Sequence, residues 1–193
     1  MKSVILFVAA AAAAAIAVPA PAASLSGPRV ELVAGWDKPD FDFDPPGGND
    51  PGANGIVYGI GAGYDFAVGK TVALGIDLEA SDSTSELDFA SAGDTVHFEA
   101  GRDLYAGLRF TAAASDRLNL YAKGGYANAR VEASFTTPTF AEVIDFEADG
   151  FRVGLGGQYA VGGKAYVGAE YRYSNYDGDL SRHQAVATLG MRF

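Results

Sequence analysis

The chain has 193 residues, 24 acidic against 14 basic side chains, no cysteine, 25 glycines, and 22 phenylalanines and tyrosines beside one tryptophan. That length suits a single domain, and the mix of 49% hydrophobic and 20% charged residues excludes a disordered acidic tail, a collagen repeat and a disulfide scaffold. A net charge of -10 argues against nucleic acid as a partner, because it would repel a phosphate backbone.

Met1, Lys2 and Ser3 precede an apolar run over residues 4–18, and a small-residue stretch follows over residues 19–23. This is the layout of a cleaved secretory signal peptide over residues 1–22, with the cut after Ala22 and residues 23–193 left as the mature domain. The run falls short of the roughly 20 residues that span a bilayer as a helix, and Pro19 ends it.

From Arg29 onward the apolar period is two, the mark of extended strands with one apolar face. Val30, Leu32, Ala34 and Trp36 oppose Arg29, Glu31, Val33 and Gly35. The dyad returns over residues 56–66, 72–80, 103–110, 118–126, 151–159, 164–174 and 184–193, which makes eight strands. Connections 67–70, 112–117 and 160–163 are short, whereas 37–54, 81–96, 128–148 and 175–182 are long. Alternation of long and short links is what an antiparallel up-and-down meander gives when one rim is trimmed and the other elaborated.

The face opposite the apolar one is mostly glycine with scattered tyrosines and isolated charges, which suits a narrow interior rather than a wetted exterior. The apolar face is therefore the outside, and hydrocarbon is the surrounding that accepts it. The outward aromatics sort by strand direction. Trp36, Tyr58, Tyr126, Phe151, Tyr171 and Tyr173 fall toward the long-link rim, and Tyr64, Phe66, Phe110, Tyr159 and Phe193 toward the short-turn rim, with aliphatic residues between. Two girdles flanking an aliphatic belt match the two interfaces of a bilayer.

From Arg29 to Phe193 the chain resembles the small bacterial outer-membrane β-barrels of the OmpA-like and opacity-protein group, generically the porin family. The closing stretch, with Leu189, Met191 and terminal Phe193 on one face, is similar to that family's C-terminal insertion signal. The resemblance implies an all-β, eight-stranded transmembrane barrel in the outer membrane of a Gram-negative bacterium, folded by the barrel assembly machinery and in contact with outer-membrane lipid and lipopolysaccharide. A monomer is expected, without a peptidoglycan-anchoring domain after Phe193.

Projected inward, Glu31, Asp65, Asp77, Glu79 and Glu170 meet Arg109, Lys123, Arg152, Arg172 and Arg192. Such balance fits a lumen filled by ion pairs, since an unpaired buried charge is costly. The expected function is a surface or envelope-integrity protein with a plugged lumen; the alternative is a narrow porin-like channel for ions or small solutes. A secreted ligand-carrying barrel ranks third.

The four long links sum to -4, -4, -3 and -1, so the net charge belongs to that rim. Weak divalent-cation bridging to lipopolysaccharide is one use for it; a solvated rim is the other. Asp40, Asp42 and Asp44 have the spacing of half a calcium loop, but Pro45 and Pro51 stand where glycine and glutamate are needed, so no metal site is expected. Phe41, Phe43 and Phe140 are candidate apolar contact points in the links.

No catalytic or cofactor site is expected. A serine nucleophile needs a histidine within reach and an acid to orient it. Neither His97 nor His183 sits beside a serine in the lipase-like His-x-Ser pattern, and the nearest approach is Asp179, Ser181 and His183. The glycine run over residues 59–63 lies inside a strand with no helix after it, which removes a nucleotide-loop reading.

Overall fold

A computed structural model describes residues 25–41, 54–91, 94–137, 140–178 and 180–193. Every regular element among them is a strand: β1 (Gly27–Phe41), β2 (Gly55–Ala67), β3 (Val72–Ser83), β4 (Glu86–Ser91), β5 (Asp94–Ala113), β6 (Leu118–Thr137), β7 (Phe140–Gly162), β8 (Ala165–Tyr176) and β9 (Leu180–Arg192). All pairings are antiparallel between neighbours in sequence, and two further contacts close the cylinder: β1 with β9, and β3 with β5. β4 continues the line of β3 beyond Thr84 and Ser85, so nine segments make eight staves. Closure leaves no unpaired edge in the wall, which lets strands cross a membrane where backbone groups have no water to bond.

The short turns are tied by backbone bonds such as Val68 N–H to Val72 C=O (3.0 Å) and Ala114 N–H to Leu118 C=O (2.8 Å). At the tightest turn, Gly163 holds φ at +56°, which only a residue without Cβ adopts cheaply. Residues 1–22, expected as a cleaved signal peptide, and the calcium-like stretch from Asp42 to Pro51 lie outside the described residues.

The links expected as loops over residues 81–96 and 128–148 are largely strand instead. β6 and β7 stay paired from Leu118↔Tyr159 to Thr137↔Phe140, and β4 pairs with β5 from Glu86↔Glu99 to Ser91↔Asp94. The alternation fades there for a physical reason. Beyond the girdle the outer face is wet, so Arg130, Glu132, Asp145 and Glu147 replace aliphatic residues while the backbone ladder runs on. β4, the upper halves of β5 and β6, and residues 140–148 of β7 thus form a four-stranded blade above the barrel.

The outside of the barrel wall is apolar: Leu32 (60% exposed), Ile60, Leu74, Ile76, Leu78, Leu108 and Leu155 (67% exposed) all face away from the axis. Of the girdle residues, Trp36, Tyr58, Tyr64, Phe66, Phe110, Tyr126, Phe151, Tyr159, Tyr171 and Phe193 are exposed, and Tyr173 is half-buried. Register places Trp36 beside Ala185 and Ala185 beside Tyr171, with Tyr126 against Phe151, along the blade-side rim. Phe66, Leu74 and Phe110 are neighbours at the opposite rim.

Candidate functional site: the lumen and its blade-side mouth

Among the described residues, inward positions carry seven acids, Glu31, Asp37, Asp65, Asp77, Glu79, Asp103 and Glu170, and seven bases, Arg29, Arg109, Lys123, Arg152, Arg172, Arg182 and Arg192. All fourteen are buried, and their formal charges cancel. The ten residues projected inward from the alternation, Glu31, Asp65, Asp77, Glu79, Arg109, Lys123, Arg152, Glu170, Arg172 and Arg192, all sit in this set. The other four were missed. Arg29 and Asp103 already stood on inward positions of their strands, whereas Asp37 and Arg182 were assigned to links. Carrying the dyad one residue past Trp36 and two before Gln184 finds both, because the ladder between β1 and β9 continues through Asp37↔Gln184 and Pro39↔Arg182.

The charges form one connected stack. Near the short turns, Arg29 Nε meets Asp65 Oδ2 (3.0 Å), its Nη1 meets Asp77 Oδ1 (2.8 Å), and Arg192 Nη2 reaches the same Asp65 oxygen (2.8 Å). Glu31 accepts from Tyr166 Oη and Gln158 Nε2 (both 2.8 Å) and faces Arg109 Nη1 at 3.4 Å. At mid-height Lys123 Nζ lies 3.0 Å from Glu170, 3.6 Å from Glu79 and 3.8 Å from Asp77, joining the lower group to the upper. Arg172 bridges Glu170 (2.8 Å) to Glu79. Above them Arg152 contacts Glu79 (3.6 Å) and Asp103, and Arg182 links Asp103 (3.2 Å) to Asp37. Each charge has an opposite partner, which offsets the desolvation that burial imposes.

Aromatic rings fill what remains. The Arg109 guanidinium stacks 4.0 Å from the Tyr121 centroid, while Lys123 and Arg152 lie 5.0 and 5.5 Å from that of Tyr105. Inward glycines make room for these rings: a Cβ at Gly156 would come within 2.5 Å of Tyr121 Cζ, and one at Gly190 would overlap the Tyr166 ring. Toward the blade, Tyr105, Ala127, Ala129, Val131, Ala148, Tyr176 and Leu180 form a buried apolar cluster.

Two rim carboxylates outside the spanning wall have shifted acidity. Burial pushes Asp37 up, but the Arg182 charge and hydrogen bonds from Arg182, Ser83 and Gln184 outweigh it and hold the carboxyl below its ordinary value. Asp149 is lowered by the Tyr126 hydroxyl and by Asn128 Nδ2 at 2.7 Å.

Outside the lumen, His183 Nδ1 meets the Tyr171 hydroxyl (2.6 Å), and its ring lies 5.0 Å from that of Tyr173. Asp179 and the side chains of Phe41, Phe43 and Phe140 lie outside the described residues. Among the described residues, no group of three or more acids and histidines could hold a metal ion.

A family model described as outer membrane protein beta-barrel domain matches residues 8–193. The chain belongs to that family. It is a β-barrel of the outer membrane of a Gram-negative bacterium, with its apolar wall against lipid. Among curated proteins it is similar to the 31 kDa outer-membrane immunogenic proteins of Brucella melitensis and Brucella suis, at 27% identity over 72% of this chain. The match spans 60% of the length of those relatives. Among solved structures it shares its fold with Ail, the attachment invasion locus protein of Yersinia pestis (TM-score 0.58, 15% identity, 86% of this chain and 99% of that one). It is likewise similar to Neisserial surface protein A (TM-score 0.57, 16% identity, 87% of this chain and 98% of that one).

Proposed function

We propose that this barrel is a non-conducting, non-catalytic surface protein, which supports the envelope and displays an acidic projection to the exterior. The observation that carries the reading is the neutral stack of seven acids and seven bases, with the rings of Tyr105, Tyr121 and Tyr166 packed among them. A hydrated ion entering it would have to displace paired charges and shed its own water, at a cost of several kcal/mol per unpaired ion. A non-catalytic role is supported at the one serine–histidine candidate, where the Nδ1 of His183 is taken by Tyr171. The blade rises from the long-link rim, which in barrels of this kind faces outward, and the short turns face the periplasm.

The partners on this reading are outer-membrane lipid and lipopolysaccharide along the wall. The assembly machinery reads the edge formed by Leu189, Met191 and Phe193, and the barrel works as a monomer. The test pairs two measurements. Refolded protein in a planar bilayer is expected to give no steady single-channel current, and steady conductance would overturn the plug in favour of a narrow channel. The chain has no cysteine, so Ser134→Cys gives a single thiol on the blade. It is expected to react with a membrane-impermeant maleimide on intact cells; protection until the outer membrane is opened would overturn surface display.

A further inference from the structure

Four carboxylates stand side by side across the blade. Glu86 on β4 pairs in register with Glu99 on β5, Glu99 with Glu132 on β6, and Glu132 with Asp145 on β7. All four are exposed, and directly opposed residues of an antiparallel pair share one face about 4.5–5.5 Å apart. Like charges placed so are destabilising, and this row contains no cation. One row nearer the membrane, Arg102 and Arg130 are both drawn to Glu147 (3.2 and 3.5 Å).

The row ends at an open strand edge. Among the described residues, β7 pairs with β8 only from Gly150↔Tyr176 onward, so residues 140–148 have β6 on one side and no strand on the other. The last bond on the β8 side runs from Asp177 N–H to Asp149 C=O (2.8 Å). By the two-residue period, Glu147, Asp145 and Val143 turn their own N–H and C=O groups to that same open side. The strand is apolar as well as acidic: Val143 is 61% exposed on the outer face, and Ile144 (45%) and Phe146 (40%) lie on the inner face beside buried Ala133 and Val131.

We propose that the open edge of β7 is a docking site for an extended cationic polypeptide segment, added as a fifth strand of the blade. Main-chain bonds to Val143, Asp145 and Glu147 would hold the strand, and a lysine or arginine opposite Asp145 would complete the carboxylate row with the opposite sign. Apolar residues on alternate positions would cover Ile144 and Phe146. A second copy of this chain is the wrong occupant, because its β7 edge would bring Asp145 and Glu147 against carboxylates. The inference rests on outward display of the blade, which the thiol-labelling measurement reads independently of any peptide.

The experiment uses the full barrel in lipid nanodiscs and a fluorescent nine-residue peptide alternating lysine and valine, followed by anisotropy in ~0.15 M salt, where long-range steering is damped. Saturable binding is expected. Val143→Pro removes an edge N–H that does not pair with β6, so it spares the blade; it is expected to weaken binding at least tenfold. Asp145→Lys is expected to do the same, and a peptide N-methylated at alternate amides to lose as much as Val143→Pro does. Heat-modifiable gel migration checks that each variant barrel is folded. If Val143→Pro disturbs the blade, slowed amide exchange at residues 143, 145 and 147 of the unmodified chain on peptide addition replaces it as the test of edge pairing. Absence of binding, equal affinity for the N-methylated peptide, or equal affinity for a glutamate–valine peptide would each overturn the proposal.

Discussion

Glu79 pairs with three lumen cations, and replacing it tests whether paired charge holds the barrel together. It faces Arg172, Arg152 Nη1 (3.6 Å) and Lys123 Nζ (3.6 Å), and is itself buried. Glu79→Gln keeps the shape and removes the charge, so the seven-to-seven balance becomes six acids against seven bases. Breaking a buried pair from one side typically costs about 3–5 kcal/mol, because the remaining charge is stranded. Arg172→Met in the same chain restores neutrality while leaving Lys123 on Glu170 and Arg152 on Asp103. The double variant should therefore lose less than the two single losses added together, with a coupling of roughly 0.5–3 kcal/mol. Trp36, the sole tryptophan, stands on the lipid-facing rim and reports unfolding directly through its emission as urea strips the barrel from lipid. With a denaturant slope of about 1–3 kcal/mol/M, the single variant's midpoint should fall by about 1 M or more. A loss below about 1 kcal/mol for Glu79→Gln, or strict additivity in the double variant, would refute the view that the stack is a coupled electrostatic core.

Three further perturbations address the other layers. Gly190→Leu drives a side chain into the Tyr166 ring and should destabilise by about 1–3 kcal/mol through overpacking, read in the same urea titration; unchanged stability would mean the ring has room to move. Leu155→Arg places a charge in the aliphatic belt at 67% exposure and should cost roughly 2–4 kcal/mol in lipid, whereas a change near zero would place that residue outside the hydrocarbon. Because the folded acidity of Asp37 lies below its ordinary value, its contribution is present above the normal carboxylate range near pH 4 and is lost as pH falls through the lowered folded value. Asp37→Asn should accordingly flatten the acid limb of the stability profile, and an unchanged limb would show that Arg182 does not depend on it.

The barrel wall was legible because two constraints coincide on each strand. Lipid requires an apolar outer face, and a narrow bore requires glycine, tyrosine or a paired charge inside, so the dyad is written twice over between Val30 and Trp36 and between Leu104 and Phe110. Above the girdle only one constraint survives. Arg130, Glu132, Asp145 and Glu147 can face water on strand or loop alike, and no local residue choice separates the two, so the β6–β7 hairpin was hidden until its partners were seen. The same loss of signal concealed Asp37 and Arg182, whose neighbours Lys38 and Ser181 are polar. Their meeting is a fact of register between strands far apart in sequence, not of either strand alone. The carboxylate row is the sharper case. Glu86, Glu99, Glu132 and Asp145 are unremarkable singly, and become a row only because three hairpin registers place them side by side. Composition gave the rim its sign; register determines that part of that charge is concentrated in one line, ending at a strand edge that has no second partner among the described residues. There the cost of repulsion and the unused backbone groups can be offset together by a single cationic strand.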